Sequence, residues 1–316
     1  MKRVEECWGI LGGGFGLYGY LPAVAQRTTG AIHLLQRHEK LILERSEIHE
    51  LLSRTVFEAN IAAIFQKCNS IVIAVPPQDQ QSIVEEILEN KWVGQLILEK
   101  PVAPTPALTI KLLNNLNKSE IKYRIGFTMG ETKWFNQVKK YLTVHEGETI
   151  KIKIDWRFLA HHYRSGLNSW KRYPAQGGGA TRFYAIHIIF ILAKLGIDIP
   201  INYQRLVMAA GDEPMCNFSV ANNLCSAEIV CDSRWNGQPS FKLNITAAKG
   251  DSIVIKMNNP FTEKNKKHNF TATTQNDPRV KYLENIIDSL NEIDSDSACY
   301  LRHALLWESL ESKILK

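Results

Sequence analysis

The sequence predicts an α/β chain: an N-terminal parallel sheet with crossover helices, then a C-terminal α+β domain whose sheet is mainly antiparallel. Three observations carry this reading. The apolar run Trp8 to Leu11 stops abruptly in glycines and gives way to a helix-compatible stretch. Short apolar runs then alternate with helical patterns to about residue 120, as strands and crossover helices do in a parallel sheet. Beyond that point strands recur between turn signals such as Asn222-Asn223, Asn236-Gly237 and Lys249-Gly250-Asp251.

Taken in order, strands are expected at Trp8 to Leu11, Ala31 to Leu35, Ser70 to Val75, Gln95 to Leu98 and Tyr123 to Phe127. The third of these is closed by Pro76 and Pro77, which cannot continue a ladder. Helical spacing covers Gln80 to Asn90 and Thr105 to Asn117. In the second half, Thr149 to Phe158 alternates as a half-buried strand, and Asn168 to Gly179 is polar and glycine-rich. Ala180 to Leu195 then reads as a buried helix, and several strands lie between Tyr203 and Met257. A polar segment, Asn258 to Pro278, precedes two helices near Arg279 to Leu290 and Ser297 to Leu315. The expected division is 1–122 and 123–316, with the C-terminal helices able to pack back on the first domain.

Composition bounds the function. The 316 residues suffice for two domains, and 45% apolar with 22% charged residues describes a folded globular chain. A net charge of +6 suits an anionic ligand, but no clustered basic stripe marks a nucleic-acid partner. The most basic run, Lys264 to His268, reads as a solvated loop. The longest apolar run, Phe183 to Ala193, contains His187 and is too short to span a bilayer. With no signal-peptide pattern at the start, a cytoplasmic setting is expected. Six cysteines form no C-x-x-C pair, so zinc and dithiol readings are poor and no metal is expected. Cys225 and Cys231 read as small buried hydrophobes, although a hairpin would let them meet.

The chemistry starts at Gly12 to Gly19. Glycines after a first strand let a pyrophosphate approach the backbone, and the following helix directs free N–H groups at it. Gly14, Gly16 and Gly19 match G-x-G-x-x-G fully; Gly12 and Gly14 fit the end of the strand better, with Leu17 at the third position. The second register is preferred, giving a contact set of Gly12, Gly14, Phe15, Gly16 and Leu17. The second strand ends Leu35-Gln36-Arg37-His38, with no acid before Glu39. Because Arg37 can fork onto a 2′-phosphate, NADP is expected over NAD. Taken alone, Arg37 reads equally well as an ordinary surface arginine.

Glu99-Lys100-Pro101 resembles the signature of the glucose–fructose oxidoreductase/inositol dehydrogenase family (Gfo/Idh/MocA). Gly9 to Ala23, Ala74-Val75-Pro76-Pro77, Gly126-Phe127 and Gly177-Gly178-Gly179-Ala180 with His187 agree with it in order. The resemblance implies a Rossmann-type domain and nicotinamide-dependent hydride transfer at a sugar, polyol or nucleotide sugar. It places Val75, Pro76, Glu99 and Lys100 at the cofactor, Lys100 also at the reacting oxygen, and a cis bond before Pro101. An ammonium at the carboxyl end of a parallel strand has its own rationale, since it stabilises alkoxide charge. The resemblance also implies a homo-oligomer.

The pattern departs at one position. The family carries an aspartate four residues before its histidine, where this chain has Phe183. Tyr184, three before His187, shares its helix face. Lys100, His187 and Tyr184 are therefore the expected catalytic group, with His187 as acid/base. His161, His162, Tyr163, Arg164 and Trp170 to Tyr173 offer cations and aromatic faces for an anionic or sugar-like substrate. Two other readings stay open: a nucleotide-binding regulator or sensor without turnover, and a reductase of an imine or tetrapyrrole.

Overall fold

Strands that are apolar at every position need cover on both faces, and the first half of the chain supplies it. The computed structural model describes residues 6–262, 277–292 and 296–313. These divide into two units, the first made of 6–102, 114–128 and 277–292, the second of 103–113, 129–262 and 296–313.

The first unit holds six parallel strands: β1 (Trp8–Leu11), β2 (Ile32–Leu35), β3 (Thr55–Glu58), β4 (Ser70–Ile73), β5 (Gln95–Leu98) and β6 (Lys122–Ile125). Their order is β3-β2-β1-β4-β5-β6, which reverses between β1 and β4 and makes a switch point there. The helices in this stretch are α1 (Leu21–Arg27), α2 (Glu39–Leu43), α3 (Ile61–Lys67), α4 (Pro77–Glu89) and α5 (Pro106–Asn117), the last divided between the units. β1, β2 and β4 are buried throughout, with His33 of β2 and Ser70 of β4 as their polar members. Pattern reading does not place β3 or α3. β3 is an edge strand of four residues in which only Glu58 is buried, so it shows no apolar run. Asn60 begins α3 by accepting from the Ala63 N–H at 2.9 Å.

The second unit contains α6 (Lys133–Val144), capped by Thr132, and the short α7 (His161–Arg164) and α8 (Ile186–Lys194). Its sheet joins β7 (Ile150–Arg157), β8 (Ile199–Leu206), β9 (Met215–Ala221), β10 (Cys225–Asp232), β11 (Ser240–Ala247) and β12 (Ser252–Met257) in the order β12-β11-β7-β10-β9-β8. Only β7 and β10 run parallel. Ile150, Ile152, Ile154 and Trp156 of β7 alternate inward, level with Phe241, Leu243, Ile245 and Ala247 of β11. β8 starts at Ile199, earlier than expected, because an edge strand tolerates Pro200 beside an irregularity in register. The expected continuous helix over 180–195 is instead a π-helical turn, Ala180–Ala185, leading into α8. Cys225 and Cys231 both lie on β10, buried and free.

Two helices close the chain. α9 (Val280–Asp288) belongs to the first unit, where Val280, Leu283, Ile286 and Ile287 join a core with Leu17, Leu21 and Val24. Arg27 pairs there with Glu284 and Asp288 at 3.1 and 3.0 Å. α10 (Ser297–Ser312) belongs to the second, with Tyr300 stacked on Phe190 of α8. The basic run Lys264 to His268 lies outside the described residues. No helix among the described residues is long and apolar enough to cross a membrane.

Candidate functional site

The glycine turn follows β1 directly. Gly12 has φ +143°, and a Cβ there would lie 2.3 Å from the Ala74 carbonyl oxygen after β4, so the position admits only glycine. Gly14 is exposed with open space where a side chain would stand, which leaves its backbone free to approach a ligand. Its carbonyl accepts from the Leu17 N–H at 2.9 Å. Gly16 starts a π-helical turn, Gly16–Tyr20, that runs on into α1; such turns concentrate at functional sites. Leu17 is wholly buried in the core, and Gly16 packs beneath Ile10. The Phe15 ring meets Tyr18 and Tyr20 edge-on and carries the Arg279 guanidinium at 4.1 Å. Arg279 in turn forks onto Asp277 at 2.8 and 2.7 Å. Burial alone would raise the Asp277 carboxyl; Arg279 holds it below its usual range.

Glu99 and Lys100 stand at the carboxyl end of β5, beside half-buried Val75 and exposed Pro76 after β4. The Lys100–Pro101 bond is cis, and Lys100 is only 5% exposed. Its ammonium lies 3.9 Å from Glu99 Oε1, while Glu99 Oε2 accepts from the Tyr20 hydroxyl at 2.9 Å. Gln80 on α4 clamps the segment. Its Nε2 donates to the carbonyls of Glu99, Pro101 and Val102 at 2.6, 3.2 and 3.1 Å, and its Oε1 accepts the Glu99 N–H at 3.1 Å. Gly126 is glycine because a Cβ there would lie 2.2 Å from Tyr20 Oη and 2.7 Å from Glu99 Oε2. Sequence reasoning missed Tyr20, Gln80 and Arg279. For Gln80 a signal existed: it shares the helical stripe of Ile83, Val84 and Ile87, where a polar residue is out of place.

In the second unit the glycine run forms a tight entry to the His187 helix. Gly177 and Gly179 have φ +83°, and a Cβ on Gly178 would strike the Trp170 carbonyl at 2.1 Å. Glu213 holds the start of the turn: its carbonyl accepts from the Ala180 N–H at 2.7 Å and its carboxylate from the Thr181 N–H at 2.8 Å. Arg182 forks onto Glu311 at 2.7 and 2.6 Å and donates to the Pro104 and Pro174 carbonyls. His187 is 3% exposed, its ring against Phe261 at 5.7 Å. Half-buried Tyr184 sits among Trp156, Phe158 and His162, its hydroxyl 3.4 Å from His162 Nδ1. Burial, aided by Lys171 and Arg172, pushes the His162 imidazole down to about 4, so it is neutral at pH 7. Arg172 lies over the Tyr163 ring and 3.3 Å from buried Asp212. Phe183 faces Trp170 edge-on and carries the Lys171 ammonium at 5.2 Å.

The structure thus gathers Gly12, Gly14, Val75, Pro76, Glu99 and Lys100 at neighbouring strand ends in the first unit, and Tyr184 with His187 at one helix start in the second. Residues 7–127 match the GFO_IDH_MocA family, an oxidoreductase family with an NAD-binding Rossmann fold. A search of curated proteins finds no match. Among solved structures, GenD2 from gentamicin A biosynthesis, in complex with NAD, is similar with a TM-score of 0.75 at 13% identity, covering 99% of this chain and 95% of that one. The WlbA dehydrogenase of Bordetella pertussis, in complex with NADH and UDP-GlcNAcA, gives 0.75 at 13%, covering 98% and 96%. Levoglucosan dehydrogenase with NADH and levoglucosan gives 0.72 at 13%, covering 98% and 96%. At this identity the likeness is one of fold.

These relatives hold NAD or NADH, which corrects the expectation of NADP drawn from Arg37. The local geometry supplies a reason. Residues 36–38 form a 3-10 turn in which Arg37 is exposed, and such a turn brings residues three apart into line. Gln36 Nε2 donates to Glu39 Oε2 at 2.5 Å. The acid at Glu39 is thereby tied to Gln36, the residue that directly follows β2.

Proposed function

We propose, with residues 7–127 as a member of the Gfo/Idh/MocA oxidoreductase family, that the chain transfers a hydride between NAD and a carbonyl or hydroxyl carbon of a sugar, polyol or nucleotide sugar. The observation that supports it best is Lys100, a buried lysine at the carboxyl end of β5 on a segment whose flanking backbone Gln80 clamps. The glycine turn fits a dinucleotide, since Gly12 has no room for a side chain and Gly14 leaves open space. When bound, NAD supplies or takes the hydride. The N–H groups opening at Gly14 to Gly16 face its phosphates, and Gln36 with Glu39 receives ribose hydroxyls. Lys100 donates to the reacting oxygen and stabilises its alkoxide charge. His187 takes the hydroxyl proton in oxidation and returns it in reduction, and Tyr184 holds a substrate hydroxyl. Lys171, Arg172 and His161 favour an anionic or sugar-like substrate.

Phe183, in place of an aspartate, supports a second reading: a sensor that binds NADH without turnover. The test is NADH binding and oxidation over keto-sugars, nucleotide sugars and imines, with Lys100→Met and His187→Ala beside the native chain. Turnover that falls at least ~10²-fold in both variants, with NADH affinity held within a few-fold, is the expected result. Tight NADH binding with no turnover of any compound supports the sensor. Failure to bind NADH refutes both readings, and turnover of imines alone moves the substrate class.

A further inference from the structure

The first unit has a second polar cluster, at the opposite ends of the strands that carry the glycine turn. Cys7 immediately precedes β1, Cys68 lies just before β4, and His33 is the second residue of β2. β1 runs between the other two, so three neighbouring strands deliver these side chains to one place. The Ser70 N–H donates to the Cys7 carbonyl at 3.2 Å and holds the two cysteine-bearing segments in step. His33 pairs in register with Gly9, and Cys7, two residues before Gly9, falls on the same face. A Cβ on Gly9 would lie 2.3 Å from Ile64 Cγ2, so the glycine makes room for that side chain, and Cys68 Sγ lies 3.5 Å from the same point. Cys7 Sγ stands 3.3 Å from Cys68 Sγ, and one ligand atom from each of the three residues lies within 4.8 Å of the others. Among the described residues this is the one group of His, Cys, Asp or Glu side chains that converges closely enough to hold an ion.

We propose that Cys7, His33 and Cys68 bind one zinc ion. Two sulfurs and an imidazole nitrogen are the borderline-soft donor set that zinc takes, and tetrahedral Zn–S bonds of about 2.3 Å need the thiolates only slightly further apart than they stand. The site has the outer partner that zinc histidines use: His33 Nδ1 is bonded to Glu58 Oε1 at 2.8 Å, which fixes the ring and leaves Nε2 as the ligand. Lys67 Nζ bonds both Glu58 oxygens at 2.8 Å. Charge closes as well. Two thiolates neutralise Zn²⁺ and Lys67 neutralises Glu58, so the occupied site adds no net charge to a region where His33 and Cys68 are buried. Binding releases the two thiol protons to solvent. Cys7 is half-buried, so a water can complete the four-coordinate shell. Five residues of extended chain, about 16 Å, separate Cys7 from Gly12, so the ion ties the strands together at the end away from the dinucleotide crevice.

The test uses the full chain, reduced and stripped by a chelator, titrated anaerobically with Co²⁺ and then Zn²⁺. The expected result is one Co²⁺ per chain with thiolate-to-cobalt charge-transfer bands, displaced by one equivalent of Zn²⁺, and a higher melting temperature with zinc. Cys7→Ser abolishes the charge transfer from that sulfur and weakens zinc binding by at least ~10²-fold, and Glu58→Gln weakens it by about 10–100-fold. Cys225→Ser, on the other sheet, changes neither. Circular dichroism reports whether each variant folds, and His33→Gln stands in should Cys7→Ser not. Absence of the cobalt bands, zinc binding unchanged in Cys7→Ser and His33→Gln, or a Cys7–Cys68 disulfide whose reduced form binds no zinc overturns the proposal.

Discussion

Removing the Gln80 amide tests how the Lys100 segment is held. Gln80 is 0% exposed, so water cannot replace what its side chain provides. Gln80→Leu leaves the Glu99, Pro101 and Val102 carbonyls without that donor and the Glu99 N–H without one of its two acceptors, the Ile73 carbonyl at 2.9 Å being the other. A buried polar group stripped of its partner costs about 1–3 kcal/mol, and neighbouring losses do not add fully, so about 3–5 kcal/mol of local stability is at stake. At about 1.4 kcal/mol per decade this favours opening by about 10²- to 4 × 10³-fold. Hydrogen exchange of a peptide spanning residues 95–103 reads that directly. Gln80→Glu is the sharper control. It keeps the acceptor for the Glu99 N–H but turns a carboxylate oxygen toward three carbonyl oxygens, so it too must accelerate exchange. Rates within about threefold of the native chain in both variants, in place of the expected decades, would refute the clamp.

Gly12→Ala forces a Cβ to 2.3 Å from the Ala74 oxygen at φ +143°, and NADH affinity is expected to drop at least ~10-fold by fluorescence titration. Arg182→Met leaves Glu311 without its fork and two carbonyls without a donor; unfolding by urea should show a loss of about 3–5 kcal/mol. Neutral, buried His162, lowered to about 4 against 6.5 for the unfolded chain, makes the unfolded state bind more protons between those values. Stability is therefore full above pH 6.5 and falls by about 3 kcal/mol as the pH drops to about 4, a slope that His162→Phe should flatten in thermal melts.

How much the sequence discloses follows from what each element buries. β1, β4 and β5 are short apolar runs closed by glycine or proline, and they stand where the pattern puts them. β3 escaped because an edge strand with one buried residue has no periodicity to read. The start of β8 escaped for the same reason, since only Tyr203 and Pro200 are shielded along it. The cysteine cluster was illegible for another cause: such groups are sought by spacing along the chain, whereas Cys7, His33 and Cys68 become neighbours only through the order of three parallel strands. Arg37 misled because a linear count from the strand end ignores the turn over residues 36–38, which leaves Arg37 exposed and ties Glu39 to Gln36.

The aspartate position bears on the chemistry through the same kind of local geometry. Four residues share a face in an α-helix, but residues 180–185 form a π-helical turn, so the spacing from Phe183 to His187 does not carry that meaning. Phe183 accordingly faces Trp170 and Lys171, while Tyr184 borders Trp156, which in turn meets Phe261, the ring packed on His187. Tyr184 and His187 thus edge one aromatic group, and the Tyr184 hydroxyl lies 3.4 Å from His162 Nδ1. Tyr184→Phe removes that hydroxyl and little else, because the ring contacts with Trp156 and Phe158 survive. If the hydroxyl holds substrate or proton in the proposed reaction, kcat falls by about 10–10²-fold while the affinity for NADH is unchanged. A kcat equal to that of the native chain takes Tyr184 out of the chemistry and leaves it as packing for His162.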